Sequence, residues 1–252
     1  MRIERLLVAA AFWAAAAVPA MAAEGVVLDH IRPDVTNAAS LQRGARTFVN
    51  YCLNCHGAAL VRYNQLVAIG LTETQIRDNL MFTAEKIGEP MQVATTRANG
   101  KAWFGVPPPD LSVIARSRGA DWLYTYLRGY YRDPATITGW NNTAYPNTAM
   151  PHVLWTLQGD RVMLEEPLMR DGKPVMEHGK PVMERRFETV RAGVQTGPQF
   201  DQTVYDLVNF LVYIGEPQQV KRQQLGIIVL FGLGVLIFVT WLLYKEFWKD
   251  VR

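Results

Sequence analysis

The residues whose types and spacing could do chemistry are Cys52, Cys55 and His56, which stand in the order Cys-x-x-Cys-His. This order is the attachment signature of a c-type haem. Two thiols about one helical turn apart can add across the two vinyl groups of one haem, and the next histidine then places its imidazole under the iron. The chain has two cysteines in total, both in this motif, so no further thiol could complete a zinc site. The motif predicts one haem c, attached through Cys52 and Cys55, with His56 as an iron ligand.

Two other interpretations of the motif remain open. A Cys-x-x-Cys pair can be a redox dithiol, which is expected beside a βαβ unit. The two cysteines could also be buried structural residues that match the signature by chance. The sequence around the motif looks helical, and no run rich in valine and isoleucine precedes it, so the haem interpretation fits the flanking sequence better.

The amino-terminal end carries a targeting signal. Arg2 and Arg5 precede an apolar run at 6–18, and small residues follow at 20–22. This pattern predicts a cleaved secretory signal peptide over residues 1–22. An uncleaved anchor is the alternative, but the short apolar run favours cleavage. Export agrees with the haem motif, because covalent haem attachment in bacteria takes place outside the cytoplasmic membrane.

The carboxyl-terminal end carries a membrane signal. Residues 225–244 form a run of twenty residues without a charge, and a helix of that length spans the roughly 30 Å hydrocarbon core. Basic and aromatic residues flank the run, as is common at membrane interfaces. The pattern predicts a membrane anchor over residues 221–252. With a signal peptide in front, we expect one crossing of the inner membrane, a periplasmic domain over residues 23–220 and a cytoplasmic carboxyl terminus.

The segment between these ends is long enough for one domain with a sizeable core. The formal charge of the chain is +3 and its basic residues do not cluster on a predicted helix face, so nucleic-acid binding has no support. The segment is mainly helical by pattern and capping signals. Five helices are predicted. The first has Ser40 as N-cap and runs into the haem motif, and the second starts with a capping box at Thr72 and reaches Leu80. The other three cover 111–118 with Asp110 as cap, 121–128, and 200–211 before a stop at 215–217.

Two stretches of this segment look irregular. Residues 141–151 are rich in asparagine and proline, which predicts a loop. Between 160 and 190 the sequence Gly-Lys-Pro-Val-Met-Glu occurs twice, at 172–177 and 179–184. One duplication is too short for a solenoid. We expect a charged, partly extended surface insertion, a solvated loop in the first interpretation and a docking element in the second.

A second iron ligand has to be chosen among nine methionines. A methionine thioether stabilises the ferrous state and raises the haem potential. Met150 lies in the predicted loop and is followed by Pro151, which stiffens that loop, so Met150 is the predicted ligand. His152 is the main rival, and bis-histidine ligation would lower the potential. Met81 and Met91 could line the pocket instead.

One further segment gives the chain a resemblance. Residues 108–118 read Pro-Pro-Asp-Leu-Ser-x-Ile-x-Arg-x-Arg. Together with the signal peptide, the haem motif, Met150-Pro151 and the carboxyl-terminal span, in that order, this segment resembles the cytochrome c1 family over nearly the whole mature chain. The segment is more specific than the haem motif, which all c-type cytochromes share. The resemblance implies a mainly α, class I cytochrome c-like haem domain with long loop insertions, plus one transmembrane helix.

The resemblance also implies electron transfer, with no bond-making catalytic site in this chain. In the family, the haem takes single electrons from the Rieske iron–sulfur protein and passes them to cytochrome c, inside the dimeric bc1 complex. Quinol oxidation belongs to the partner cytochrome b. The second arginine after Pro-Pro-Asp-Leu-Ser pairs with a haem propionate in this family, which implies that role for Arg118, whereas Arg116 is expected to be solvated.

Two other functions remain as alternatives, and the chain departs from the family at two points. The protein could be a membrane-anchored c-type cytochrome of another oxidase or dehydrogenase complex, or a haem-based ligand sensor with an open iron site. Pro151 is followed by His152 where many relatives carry a second proline. The chain also lacks the additional disulfide with which some bacterial relatives brace the loop of the distal ligand, so packing must hold that loop.

Overall fold

The computed structural model of the chain describes residues 26–170, 172–177 and 179–250. The predicted signal peptide at 1–22 lies outside these residues. Within them, the helices are α1 (Ala38–Tyr51), α2 (Glu73–Asn79), α3 (Arg97–Phe104), α4 (Ile114–Arg118), α5 (Ala120–Arg128), α6 (Trp155–Gln158), α7 (Gly197–Gly215) and α8 (Gln219–Phe247), with a 3-10 helix at Tyr63–Ile69. The strands are β1 (Ala58–Arg62), β2 (Pro90–Met91), β3 (Tyr130–Arg132), β4 (Trp140–Asn142), β5 (Gly159–Pro167), β6 (Met169–Arg170), β7 (Lys173–Pro174), β8 (Met176–Glu177), β9 (Lys180–Pro181) and β10 (Met183–Ala192). The domain is mainly helical, as the sequence predicts.

Helices α1 and α7 cross in close contact at the centre of the core. Their apolar faces meet at Phe48 and Phe210, whose ring centres are 5.7 Å apart. A Cβ atom on Gly44 would lie 2.1 Å from the backbone oxygen of Asp206, so the two backbones can approach this closely only where α1 has no side chain. The crossing packs α1 against the core, and the haem motif at its carboxyl-terminal end is held there with it.

The amino-terminal cap of α1 differs from the prediction. Asn37 is the N-cap, and its side chain accepts a hydrogen bond from the Ser40 backbone nitrogen at 3.1 Å. The Ser40 hydroxyl instead donates to the carboxylate of Asp206, which is 2 % exposed and also accepts from Arg43 Nε, both at 2.6 Å. The prediction of Ser40 as the N-cap is wrong by three residues. Asparagine and serine are equally good caps, so residue type does not separate Asn37 from Ser40, and the hydrogen-bond partner of Ser40 lies on a helix that is distant in sequence.

Most other predicted helices are confirmed. The capping box at Thr72 is present in α2, and the helices predicted at 121–128 and 200–211 lie within α5 and α7. The helix predicted at 111–118 starts later, at Ile114. Asp110 does not cap it, because one oxygen of its carboxylate accepts from the backbone nitrogen of Ser112 and the other from that of Ala59, each at 2.8 Å. Asp110 therefore ties the proline run to β1.

The predicted surface insertion is an ordered antiparallel hairpin. Strand β5 pairs with β10 along their length, and the sheet has the order β10-β5-β3-β4. The insertion is extended and largely exposed, as expected, but it is a hairpin and not a solvated loop. Arg161 fastens its base to the domain: the guanidinium packs 4.1 Å from the centre of the Phe187 ring and donates to the backbone oxygen of Tyr130 at 2.9 Å.

The duplicated hexapeptide forms the tip of this hairpin. Leu168, Val175 and Val182 are seven residues apart, and their backbones close a ring of hydrogen bonds: Leu168 donates to Val182 at 2.7 Å, Val182 to Val175 at 2.8 Å and Val175 to Leu168 at 2.8 Å. Each of the two short hairpins, β6–β7 and β8–β9, contains one Lys-Pro pair of the repeat. The tip therefore has approximate threefold symmetry, which explains why the repeat occurs with a period of seven.

Helix α8 leaves the domain after a short turn at the end of α7. Among the helices that the structure describes, α8 is the one long and apolar enough to cross a membrane. Its 29 residues make it about 44 Å long at 1.5 Å per residue, so it contains the predicted span at 225–244 with turns to spare. None of its residues is buried against the domain, which fits a membrane anchor and excludes a core helix.

Candidate haem-binding site

The haem motif forms a tight turn directly after α1. Cys52 caps the helix, and its backbone nitrogen donates to the Phe48 oxygen at 2.8 Å. The backbone nitrogens of Cys55 and His56 then both donate to the Cys52 oxygen, at 3.0 and 2.8 Å. This turn brings Cys52, Cys55 and His56 to the wall of one cavity, as covalent attachment of one haem requires.

The two thiols do not resemble a redox dithiol. Neither is in a disulfide, Cys52 is buried and Cys55 is half-buried. Burial raises the pKa of Cys52 to about 12 and also raises the pKa of Cys55, whereas redox dithiols have lowered pKa values. The motif also follows a helix, and no strand leads into it. The geometry therefore favours two neutral thiols over a redox dithiol.

His56 is oriented by the proline run that precedes α4. Its Nδ1–H donates to the backbone oxygen of Pro109 at 2.7 Å, and the neighbouring Gly57 oxygen accepts from the Leu111 nitrogen at 2.7 Å. A hydrogen bond at Nδ1 leaves the Nε2 lone pair for a metal, the usual arrangement in metal-binding histidines. Burial lowers the pKa of His56, so the imidazole is neutral at physiological pH, the form that binds iron.

Two adjoining cavities lie beside the motif. The larger has a volume of about 450 Å³ and the smaller about 90 Å³. The larger cavity is lined mostly by aliphatic and aromatic side chains from α4, α5 and α7 and by the loop that follows β4. The residues that line both are Cys52, His56, Val106, Pro109, Ala149 and Met150.

This set of side chains fits a haem c. Two thiols can bind the vinyl groups, an imidazole nitrogen and a thioether sulfur are the usual ligands of iron in c-type cytochromes, and apolar walls suit a porphyrin ring. Met150 and His56 line the same two cavities although they are far apart in sequence. The structure therefore brings together Cys52, Cys55, His56 and Met150, the set that the sequence predicts.

The rival ligand, His152, lies elsewhere. It is 2 % exposed, its ring stacks on Tyr130 with 4.8 Å between ring centres and 6° between planes, and Trp140 contacts it edge-on at 5.0 Å. Burial lowers the pKa of His152 to about 3. Because His152 lines neither cavity, the geometry favours Met150 as the second ligand.

The other two methionine candidates are also outside the cavities. Met91 is completely buried in strand β2, and Met81 packs against the edge of the core. Neither side chain lines the cavity walls. Of the methionines that the sequence leaves open, Met150 is the one placed beside His56.

The two arginines of the segment 108–118 face different partners. Arg118 lines the larger cavity, with its guanidinium carbon 5.0 Å from the centre of the Trp122 ring. The guanidinium of Arg116 lies 3.9 Å from the carboxylate of Glu216, at the end of α7. The cavity therefore has a cation in its wall at Arg118, whereas Arg116 faces a carboxylate at the end of α7.

Sequence reasoning misses a pair of hydroxyl groups in the cavity wall. Tyr126 and Thr148 both line the larger cavity, and their hydroxyl oxygens are 2.8 Å apart. Tyr126 also stacks on Trp122 with 4.7 Å between ring centres. No sequence motif marks these residues. Tyr126 lies on a helix and Thr148 in a loop 22 positions later, and nothing in the sequence indicates that their hydroxyl groups meet.

Known proteins resemble the chain over most of its length. The Cytochrome C1 family profile matches residues 34–251. A protein of Nitrosomonas europaea named ammonia monooxygenase gamma subunit is 45% identical, with 90% of each chain covered. Cytochrome c1 of Allochromatium vinosum is 40% identical over 90% of this chain and 91% of its own, and cytochrome c1 of Rhodospirillum rubrum is 29% identical over 84% and 82%. This match, together with a site whose side chains fit a c-type haem, shows that the chain belongs to the cytochrome c1 family. Members of this family are the membrane-anchored electron-transfer subunit of the bc1 complex.

Proposed function

We propose that this chain carries one haem c, bound covalently through Cys52 and Cys55, and passes single electrons from a Rieske iron–sulfur protein to a cytochrome c. When bound, the haem supplies a one-electron couple between ferrous and ferric iron. The observation that supports this proposal most directly is that both thiols, His56 and Met150 line one apolar cavity.

The side chains around the cavity have separate tasks in this proposal. The Pro109 carbonyl fixes the tautomer of His56, so that Nε2 is presented as one iron ligand. Met150 supplies a soft thioether as the other ligand and favours the ferrous state. The apolar walls exclude water and raise the cost of the extra charge on ferric haem. Two filled ligand positions suit electron transfer, whereas a ligand sensor needs one position open.

The proposed position of the chain in the membrane rests on the predicted signal peptide and on helix α8. We place the haem domain in the periplasm, α8 as a single crossing of the inner membrane and the carboxyl terminus in the cytoplasm, because a signal peptide is predicted in front of the domain. Cytochrome b and the Rieske protein are the proposed neighbours, inside a dimeric complex. Quinol oxidation takes place in cytochrome b, so this chain makes and breaks no substrate bond.

Purification of the protein from membranes tests the proposal. We expect cytochrome b and a Rieske protein to copurify, the peptide that contains Cys52 and Cys55 to carry the mass of one haem, and added quinol to reduce a haem that cytochrome c then reoxidises. Copurification with a different oxidase or dehydrogenase would instead support the first alternative. Rapid binding of carbon monoxide by the reduced native protein would support the sensor.

Arg118 is the proposed partner of a haem propionate, and Arg116 provides a matched control. We expect Arg118→Ala to lower the free energy of unfolding of the haem-loaded protein by about 1 kcal/mol or less, because a charge-assisted hydrogen bond of an exposed side chain is lost. The same change should lower the haem potential, since one positive charge near ferric iron is removed. Denaturant unfolding and redox titration measure the two effects. Arg116→Ala should leave the potential unchanged, and equal effects of the two variants would contradict the assignment.

A further inference from the structure

The loop that carries Met150 has no regular secondary structure to hold it. Residues 143–152 contain neither helix nor strand, and the chain has no disulfide that could brace them. The start of the loop is held by two asparagines: the side-chain oxygen of Asn141 accepts from the Asn147 nitrogen at 2.7 Å, and that of Asn142 accepts from the Ala144 nitrogen at 2.8 Å. These contacts end at Asn147, three residues before the proposed ligand.

A buried hydroxyl chain holds the residue two positions before Met150. Tyr130 Oη donates to Tyr126 Oη at 2.6 Å, and the hydroxyl groups of Tyr126 and Thr148 share a hydrogen bond at 2.8 Å. All three side chains are buried. A buried hydroxyl that loses its partner is costly, and this ties the position of Thr148 to the two tyrosines.

An aromatic stack holds the residue two positions after Met150. The ring of His152 lies on the ring of Tyr130, nearly parallel, with 4.8 Å between ring centres. Trp140, on strand β4, also contacts the imidazole in an edge-to-face arrangement, with 5.0 Å between ring centres. Tyr130 therefore contacts the loop twice, through its ring at His152 and through Tyr126 at Thr148.

We propose that Tyr126 and Tyr130, together called the tyrosine clamp, are positioning residues that hold Met150 against the haem iron. Tyr126 lies on helix α5 and Tyr130 starts strand β3, so both are fixed on regular elements while the loop is not. The clamp grips the loop two residues on each side of Met150 and so limits how far the thioether can move away. The tyrosine clamp thus restrains the Met150 loop in place of a disulfide. This inference rests on the proposed function of Met150 as an iron ligand.

Tyr130→Phe is the sharpest test, because Tyr130 lines neither cavity and its hydroxyl donates to the Tyr126 hydroxyl. The variant keeps the stack on His152 but removes the donor to Tyr126. If the loop opens more often, the reduced protein should bind carbon monoxide more readily, in proportion to the open fraction. We expect an increase of about fivefold in apparent carbon monoxide affinity, the factor that corresponds to one buried hydrogen bond.

Tyr63→Phe is the matched control. The Tyr63 hydroxyl lies 3.1 Å from Thr83 Oγ1, its side chain is completely buried, and it lines neither cavity. This variant should lose a comparable amount of stability in thermal unfolding with unchanged carbon monoxide affinity. Equal carbon monoxide affinity in Tyr130→Phe and Tyr63→Phe would overturn the clamp.

A double-variant cycle separates the clamp from a direct effect of Tyr126 on the haem. If Tyr126 acts through Thr148, the variant with both Tyr126→Phe and Thr148→Val should bind carbon monoxide about as tightly as either single variant. If the effects of Tyr126→Phe and Thr148→Val on carbon monoxide affinity are fully additive, Tyr126 does not act through Thr148. Failure of the proposed ligand role of Met150 would give a different result. If the native protein binds carbon monoxide as readily as the Met150→Leu variant, Met150 is not a ligand. If the native protein and the Tyr130→Phe variant both fail to bind carbon monoxide, the clamp alone is overturned.

Discussion

Met150→Leu should lower the haem midpoint potential by more than about 0.1 V, within the roughly 0.8 V range that axial ligands span. Leucine has nearly the volume of methionine and keeps the apolar contacts, but it removes the thioether that stabilises ferrous iron. The site would then have one filled ligand position, so the reduced variant should also bind carbon monoxide rapidly. Redox titration followed by absorption spectroscopy measures the shift, and carbon monoxide difference spectra measure the opening.

Met91→Leu is the control for this change. Met91 is as deeply buried as any residue in the core but lies outside both cavities, so the same substitution should change stability by less than about 1.5 kcal/mol and leave the potential unchanged. An unchanged potential in Met150→Leu would remove Met150 from the ligand role. A drop in potential in Met91→Leu instead would move that role to β2.

Replacement of both Cys52 and Cys55 by alanine should abolish haem that stays with the protein in denaturing electrophoresis. Thioether bonds survive denaturation, whereas ligation by His56 and Met150 and apolar packing are lost when the chain unfolds. The native protein should keep its haem stain under the same conditions. The expected loss of covalently bound haem is complete, and haem-dependent peroxidase staining of the gel measures it.

The single variants are the controls for the double one. Cys52→Ala and Cys55→Ala each leave one thiol on the cavity wall, so each should keep covalently bound haem in reduced amount. The buried Cys52 site should tolerate alanine less well than the half-buried Cys55 site, because a cavity forms where neighbours are packed. Haem that survives denaturation in the double variant would show that attachment uses another residue.

The haem motif could be predicted from the sequence because its geometry is local. Three residues within five positions form one turn, and the turn itself brings Cys52, Cys55 and His56 to a common wall. The membrane helix is likewise a property of a contiguous stretch, since length and composition are enough for α8. The helices of the domain follow from periodicity and caps, with errors of a few residues at Ser40 and Asp110, whose side chains bind groups outside their own helix.

The choice between neighbouring candidates needed the structure. Met150 and His152 are two residues apart, and so are Arg116 and Arg118. The sequence favours Met150 through its loop and Pro151, and Arg118 through the family resemblance, but it does not show which side chain faces a cavity. In each pair one side chain faces the haem cavity and the other faces a different partner: His152 stacks on Tyr130, and Arg116 approaches Glu216. Packing against distant elements decides which way each of these side chains points.

The surface insertion shows a different limit. The sequence shows the hexapeptide twice, but the closed ring of hydrogen bonds joins three residues: Leu168, Val175 and Val182. The segment around Leu168 shares only a proline and a methionine with the hexapeptide, so the sequence does not predict its place in the ring. Strands β5 and β10 pair residues that are 16 to 33 positions apart, and their register is weakly specified because exposed polar strands lack a buried face.

By itself, the sequence predicted that the chain is exported, that two thiols and an imidazole bind one haem, and that residues 225–244 form a membrane helix, because each of these properties belongs to a contiguous segment. Only the tertiary structure decided which methionine faces His56, which arginine reaches the cavity and how Tyr126 and Tyr130 hold the Met150 loop. Those contacts join residues on separate helices, strands and loops, and their geometry is set by the packing of the core.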